Sequence, residues 1–193
     1  LAPNADQIDL LKQWILPPIV NRLLSGAAHY LAEMRPASIL FLRFTGIDYD
    51  HDPAAADKLD QYIRWVQQIL SRYDAFVLQL TVGDKGSYLY SAFGAPIAHD
   101  DDAERAILAA LELQATPPTL DYIPAPQIGI SQGRIYAGAY GGNTRKTYGV
   151  LGDEVNLAAR LMAKAAIGQI LVSQRMQQTL HKHAAPDHIP VYT

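Results

Sequence analysis

The chain has 193 residues, 49% of them hydrophobic and 18% charged, with a formal net charge of -3. That length suits one large domain with a real core, and the balance argues against disordered chains, fibres and nucleic-acid binders that rely on bulk positive charge. No cysteine is present, so disulfide scaffolds, thiolate zinc sites and thiol nucleophiles are excluded, leaving hydroxyl, carboxylate, imidazole and phosphate chemistry. No apolar run approaches the roughly 20 residues of a membrane helix, and residues 1–9 lack a signal-peptide pattern, so the expectation is a cytoplasmic chain with no membrane partner. The first residue is Leu, which suggests a piece of a longer protein.

Residues 1–34 read as a helical lead-in interrupted by Pro17-Pro18, predicting a short helix and a second one that starts at the prolines. Residues 35–193 form the main domain. Residues 38–44 (Ser-Ile-Leu-Phe-Leu-Arg-Phe) are an apolar run of strand length, the pattern of a central strand covered on both faces, in which Arg43 is the anomaly. Apolar residues at Leu59, Ile63, Val66 and Leu70 predict a helix over 54–73. Strands at 76–82 and 87–93 flank the turn Gly83-Asp84-Lys85-Gly86 and read as a hairpin. Asp100, Asp101 and Asp102 open the next helix, where they suit the positive end of its dipole better than a metal site. After a Pro-rich linker at 116–126 come two short strands, 127–131 and 134–139, and a turn at Gly141-Gly142. A helix at 153–166, a strand at 169–172 and a helix at 174–183 complete the order. This alternation with one hairpin predicts an α+β sandwich of the ferredoxin-like type, a mixed sheet with helices packed on it.

Neither of the two commonest phosphate-cradling loops, the P-loop and G-x-G-x-x-G, is present. Asn156 and Arg160, spaced i, i+4, project from one face of the 153–166 helix, while Leu157 and Leu161 are expected to turn toward a core. An amide and a guanidinium so placed suit a ribose or a phosphate; an exposed polar face is the competing reading. His181 and His183, at i, i+2 on a helix, splay apart and read as an exposed pair. Arg145-Lys146 reads equally as a solvated turn or a phosphate contact, and the tyrosines and tryptophans show no nucleic-acid stacking motif.

The segment 148–161, Tyr-Gly-Val-Leu-Gly-Asp-Glu-Val-Asn-Leu-Ala-Ala-Arg-Leu, resembles the signature of class III adenylate and guanylate cyclases, in which a Tyr, a strand and Gly-x-x-Val-Asn-x-Ala-x-Arg follow in order. Residues 128–138 resemble the family's Gly-Ile-x-x-Gly stretch, Gly83-Asp84 and Phe93-Gly94-Ala95-Pro96 its hairpin, Asp102 to Ala106 its next helix, and 38–47 its first strand. The likeness covers roughly residues 35–178. Leu16-Pro17-Pro18, Met34-Arg35-Pro36 and Asp84-Lys85-Gly86 are most similar to the second cyclase domain of bicarbonate-regulated soluble adenylate cyclases and their bacterial relatives.

The resemblance implies that two such domains pair head to tail and build active sites at their interface. One domain gives two Asp residues for Mg²⁺ or Mn²⁺; the other gives base-selecting residues, an Asn that orients the ribose and an Arg that stabilises the α-phosphate. Asn156 and Arg160 match the last two roles. Arg43 stands where the first metal Asp belongs, and a cation cannot ligate a cation. Asp84 sits in a Gly-Asp dipeptide like the second ligand's, but Phe93-Gly94 follows nine residues on, so Asp84 also reads as a turn residue. Gln79 lies near the expected base-selecting Lys, and Gly149 stands where Thr or Asp is usual. The expectation is the transition-state half of a site converting ATP (or GTP) to the cyclic nucleotide and pyrophosphate, with metals held mainly by a second cyclase domain in the same or another chain. The alternatives are a non-catalytic pseudocyclase that regulates a partner and a homodimeric enzyme using Asp84 alone; without its partner the chain is expected either to form a weak homodimer or to leave its apolar pairing face exposed.

Overall fold

A computed structural model describes residues 9–10, 12–26, 33–83, 86–142 and 144–183. Its centre is strand β1 (Glu33–Phe44), which hydrogen-bonds antiparallel to β3 (Ser87–Phe93) on one side and β4 (Gln127–Gly141) on the other. β2 (Phe76–Thr81) extends the sheet beyond β3, and β5 (Lys146–Leu151) extends it beyond β4, giving the order β2-β3-β1-β4-β5. The short β6 (Ile170–Val172) pairs parallel to β4 and makes the sheet mixed. The first four strands in the order 2-3-1-4 are the ferredoxin-like arrangement expected from the alternation of elements.

Side chains of β1 alternate between two cores. Leu40, Leu42 and Phe44 face helices α2 (Ala55–Arg72), α3 (Asp102–Gln114) and α5 (Gln174–His183), where Tyr62, Val66, Leu113 and Leu180 are buried. Ala37, Ile39 and Phe41 face the other way, into a core shared with α4 (Asp153–Lys164) through Ala158 and Met162. Each fully buried Leu or Ile of this strand contributes roughly 1.5–3 kcal/mol, which is why a run with almost no polar residue occupies the middle of the sheet. Arg43 follows the alternation onto the α4 face and is half-buried near the end of the strand.

The structure corrects the sequence reading in several places. β1 begins at Glu33, ahead of the strand start expected at Ser38, and passes through Pro36. Pro is tolerated there because β3 pairs with β1 only from Ser38 onward, so one edge of the strand is open at that point. The expected strands 127–131 and 134–139 are one continuous strand. Gly133 does not break it; a Cβ there would meet the Glu154 carboxylate at 2.5 Å, so glycine permits a close approach. β5 does not stand out in the local pattern, although the family signature implies a strand between Tyr148 and Gly152; it folds back on the end of β4 as a projecting two-stranded arm, with Gly138 opposite Gly149.

The expected lead-in falls partly outside the described residues. Its second helix, α1 (Pro17–Leu24), starts at the prolines as expected, since a helix's first turn does not need the missing N–H. α1 buries Ile19 and Val20, and Arg22 Nη2 donates to the Pro96 carbonyl oxygen at 2.9 Å. A groove of about 510 Å³ separates α1 from β2 and the β4–β5 arm, lined by Leu16, Ile19, Leu23, Leu78 and Tyr148 among others. Among the described residues no helix is long and apolar enough to cross a membrane.

Candidate active site

Directly paired residues on neighbouring strands share a face, and the registers set two rows across the face that bears α4. Gln79, Tyr90, Phe41 and Gly129 form one; Thr81, Tyr88, Arg43 and Gln127 form the next. The aromatic members contact one another: Phe41 stacks on Tyr90 with centroids 4.9 Å apart at 14°, and the Tyr88 ring, from the next row, lies 6.2 Å from Phe41 at a tilt.

At Gly129 the row passes beneath α4. A Cβ there would stand 2.1 Å from the Met162 backbone nitrogen and 2.3 Å from the Ala158 carbonyl oxygen, so the helix backbone rests directly on the sheet. This contact explains why the buried residues of α4 are Ala158 and Met162 rather than the expected Leu157 and Leu161; Leu157 is 37% exposed. The first turn of α4 is fixed by Glu154, whose carboxylate accepts from the buried Ser131 hydroxyl and pairs with Arg175 at 3.7 Å. Asn156 and Arg160 are both exposed, one turn apart on this anchored helix.

Arg43 sits at the other end of the same face. Its Nε lies 3.1 Å from where a Cβ on Gly86 would stand, which sets the guanidinium against the β2–β3 turn. Asp84 belongs to that turn but lies outside the described residues. Beside it, a cleft of about 430 Å³ is lined by residues 44–50 and by Val82, Gly83, Gly86 and Ser87. Asp48 on its rim is engaged locally, accepting the backbone N–H groups of Asp50 and His51, each at 3.1 Å. Among the described residues no cluster of three His, Asp or Glu side chains could hold a metal ion. With a guanidinium against the turn, the described donors do not fit the two-metal site that the family resemblance implies.

The base-selecting candidates stand on opposite faces of the sheet: Gln79 shares the α4 face with Tyr90, whereas Gly149 pairs with Gly138, and it is their neighbours Val150 and Ala137 that enter the α4-side core. Gln79 is exposed, donates from Nε2 to Thr81 Oγ1 at 3.3 Å and lies opposite Tyr90. Gly149 is buried, and Tyr140 lies over it: a Cβ built at Gly149 would be 3.1 Å from both Cε1 and the hydroxyl oxygen of Tyr140. Burial raises the ionisation of the Tyr90 phenol above its ordinary range, and the nearby Tyr140 phenol adds to the shift. The sequence does not single out Tyr90 or Tyr140, because their places follow from strand pairing, and Tyr140 meets Gly149 only through the β4–β5 register.

Away from this face, the acidic start of α3 is occupied by local bonds. Asp101 pairs with Arg105 at 2.7 Å, and the Asp102 carboxylate accepts the His99 backbone N–H at 3.0 Å.

The strand order and the helix laid across one sheet face, with an exposed amide and guanidinium on it, define a ferredoxin-like α+β domain. The sequence matches the adenylate and guanylate cyclase catalytic domain over residues 30–189, and the chain belongs to that family. Adenylate cyclase type 10 of Homo sapiens is 28% identical over 149 residues, covering 77% of this chain but 9% of that protein's length. Among solved structures, the adenylyl cyclase CyaB from P. aeruginosa superposes with a TM-score of 0.69 at 23% identity, covering 79% of this chain and 83% of that one. The guanylyl cyclase Cya2 gives 0.65 at 26% identity, covering 82% and 83%. The guanylate cyclase domain of RhGC from Catenaria anguillulae, in complex with GTP, gives 0.65 at 23%, covering 77% and 84%.

Proposed function

We propose that this domain supplies the transition-state half of a two-domain nucleotidyl cyclase site, acting on ATP or GTP. The observation that carries this reading is the division on one face. α4 is anchored to the sheet through Gly129 and Glu154 and presents Asn156 and Arg160 outward, whereas the turn beside β1 faces Arg43 instead of a ligand carboxylate. In the reaction the ribose 3′-oxygen bonds to the α-phosphorus and pyrophosphate leaves. Asn156 would hold the ribose in the attacking geometry, and Arg160 would neutralise charge as it develops on the α-phosphate oxygens. The metal ligands would belong to the paired domain, which brings any Mg²⁺ or Mn²⁺ with it. Two copies of this chain paired in the same way would set Arg160 of one near Arg43 of the other, a like-charge contact that disfavours a homodimer.

The test supplies a cyclase domain that bears both metal-binding Asp residues and measures cyclic nucleotide formation. Asn156→Ala and Arg160→Ala should each lower turnover by about 10²- to 10³-fold while weakening nucleotide binding far less. A pair that forms a complex yet makes no cyclic product with the unaltered chain would overturn the proposal. That outcome would favour the second reading, a pseudocyclase that regulates its partner, for which the position of Arg43 is the supporting observation.

A further inference from the structure

In the loop that leads from β3 to α3, His99 stands among charged groups that the proposed nucleotide site does not use. Its side chain is 26% exposed, with Nδ1 3.4 Å from Asp102 Oδ1 at the start of α3 and Nε2 3.3 Å from Asp74 Oδ2 in the α2–β2 turn. Asp74 is held at φ 54°, a left-handed conformation that a non-glycine residue seldom adopts, and its carboxylate also meets Arg105 Nη1 at 3.2 Å. The Asp102 carboxylate accepts the His99 backbone N–H and would lie 2.9 Å from a Cβ on Gly94, so it is pressed into the same loop. We propose that His99 is a proton-operated clasp: with a hydrogen on each ring nitrogen it ties the α2–β2 turn to the start of α3, and on losing one to water it frees the 94–101 loop on which α1 is seated. This is independent of the nucleotide-site reading.

A neutral imidazole carries one N–H and one bare nitrogen. Whichever nitrogen is bare here would aim its lone pair at a carboxylate, and Nδ1 is buried with no hydrogen bond among the described residues. Only the imidazolium satisfies both sides. The surrounding charges favour it: Asp101 and Asp102 on α3 and Asp74 in the turn stand against Arg105 alone, which spans Asp101 and Asp74. Asp100, on the loop itself, adds a further carboxylate. From α1 and β1, Arg22 and Arg35 reach the loop at the Pro96 carbonyl oxygen, at 2.9 and 3.5 Å. That carbonyl carries the clasp to α1, because the loop positions the acceptor that Arg22 uses. Burial pushes the Asp102 carboxyl up, and the His99 N–H and ring oppose the push, so each partner favours the charged form of the other. The tie is therefore present at low pH and lost as pH rises and the ring gives up its proton.

The experiment melts the full chain and its variants at about pH 5.5 and about pH 8.5, which bracket the range where imidazoles ordinarily change charge. His99→Gln should melt roughly 3–6 °C below the unaltered chain at the lower pH and within about 1 °C of it at the higher. Asp74→Asn keeps a residue that accepts the left-handed turn and removes one carboxylate; in that background the loss caused by His99→Gln at the lower pH should shrink to about half. Hydrogen exchange, corrected for the intrinsic rate at each pH, reads the release of α1. The amides of residues 20–24 should exchange about three- to tenfold faster at the higher pH, and His99→Gln should show the fast rate at both. A His99→Gln loss equal at the two pH values would overturn the proton dependence, and a loss left whole by Asp74→Asn would overturn the tie to the turn. Amides of α1 that keep their protection in His99→Gln would overturn the link to α1.

Discussion

Gly129→Ala tests whether the contact between α4 and the sheet positions the site. The added Cβ would stand 2.1 Å from the Met162 nitrogen, against an ordinary van der Waals contact of 3.4 Å or more, so α4 must lift by about 1.3 Å (3.4 minus 2.1). Overpacking a core costs typically about 1–3 kcal/mol. The upper end applies here, because the atoms met belong to a helix backbone and cannot swing aside as a side-chain tip does. For a chain of this size that corresponds to a fall in melting temperature of roughly 6–12 °C. The lift also carries Asn156 and Arg160 with it. A misplacement of about 1 Å costs on the order of 10²-fold in a positioned reaction, so turnover with the Asp-bearing partner should fall by that much in protein that is still folded at the assay temperature. Calorimetry and the cyclase assay read the two effects separately. Gly142→Ala is the control, since nothing lies within 4 Å of a Cβ there. A Gly129→Ala protein that melts within about 2 °C of the unaltered chain would refute the reasoning.

Glu154→Ala should destabilise the fold by about 1–3 kcal/mol, because it leaves the fully buried Ser131 hydroxyl without its acceptor; urea denaturation checks this, and equal midpoints would show that the bond contributes nothing. Carboxylate titration by NMR should separate two aspartates in opposite directions from their ordinary value of 3.8. Burial raises Asp102, so its contribution to stability is fully present below 3.8 and is lost as pH rises through the folded value. Hydrogen bonds from Lys58 and the Ala54 N–H lower Asp52, so its contribution is present above 3.8 and is lost as pH falls through the folded value. A midpoint for Asp102 below that of Asp52 would contradict both assignments.

The elements that could be read from sequence were those whose side chains answer to one period. Residues 38–44 announce a buried central strand, and of the apolar residues that predict α2, Val66 and Leu70 are fully buried beside Tyr62 and Ile69, while Leu59 and Ile63 pack at the margin of that core, partly buried. The elements that could not be read depend on partners distant in sequence. β5 carries no strong alternation of its own, with Tyr148, Gly149 and Val150 in its middle, and it exists because β4 runs on past β1 and offers an edge. β4 looked like two strands because Gly133 suggests a break, whereas the glycine records the approach of Glu154 from α4. The same holds for the site. The exposure of Asn156 and Arg160 on one helix could be read from their i, i+4 spacing, whereas the surroundings of Gln79 and Gly149 depend on strand registers that no local pattern encodes.

The contrast between the anchoring and the displayed residues of α4 bears on what the helix is for. Ala158 and Met162 seal it to the sheet, Gly129 brings it close, and Glu154 ties its first turn to Ser131 and Arg175. Asn156 and Arg160 take no part in that: both are exposed, and among the described residues neither side chain has a hydrogen bond or ion pair within the domain. An exposed amide and guanidinium of this kind contribute little to stability, since substitutions at such positions usually change it by less than about 0.5 kcal/mol. Folding energetics therefore account for the rigidity of the helix and not for the residues it displays. Arg43 differs, being half-buried against the turn at Gly86, where it fits the domain's own packing. The two ends of the face thus differ: at Arg43 the domain accommodates a cation within its own packing, and the exposure of Asn156 and Arg160, which its packing does not require, is what the proposed nucleotide contact would use.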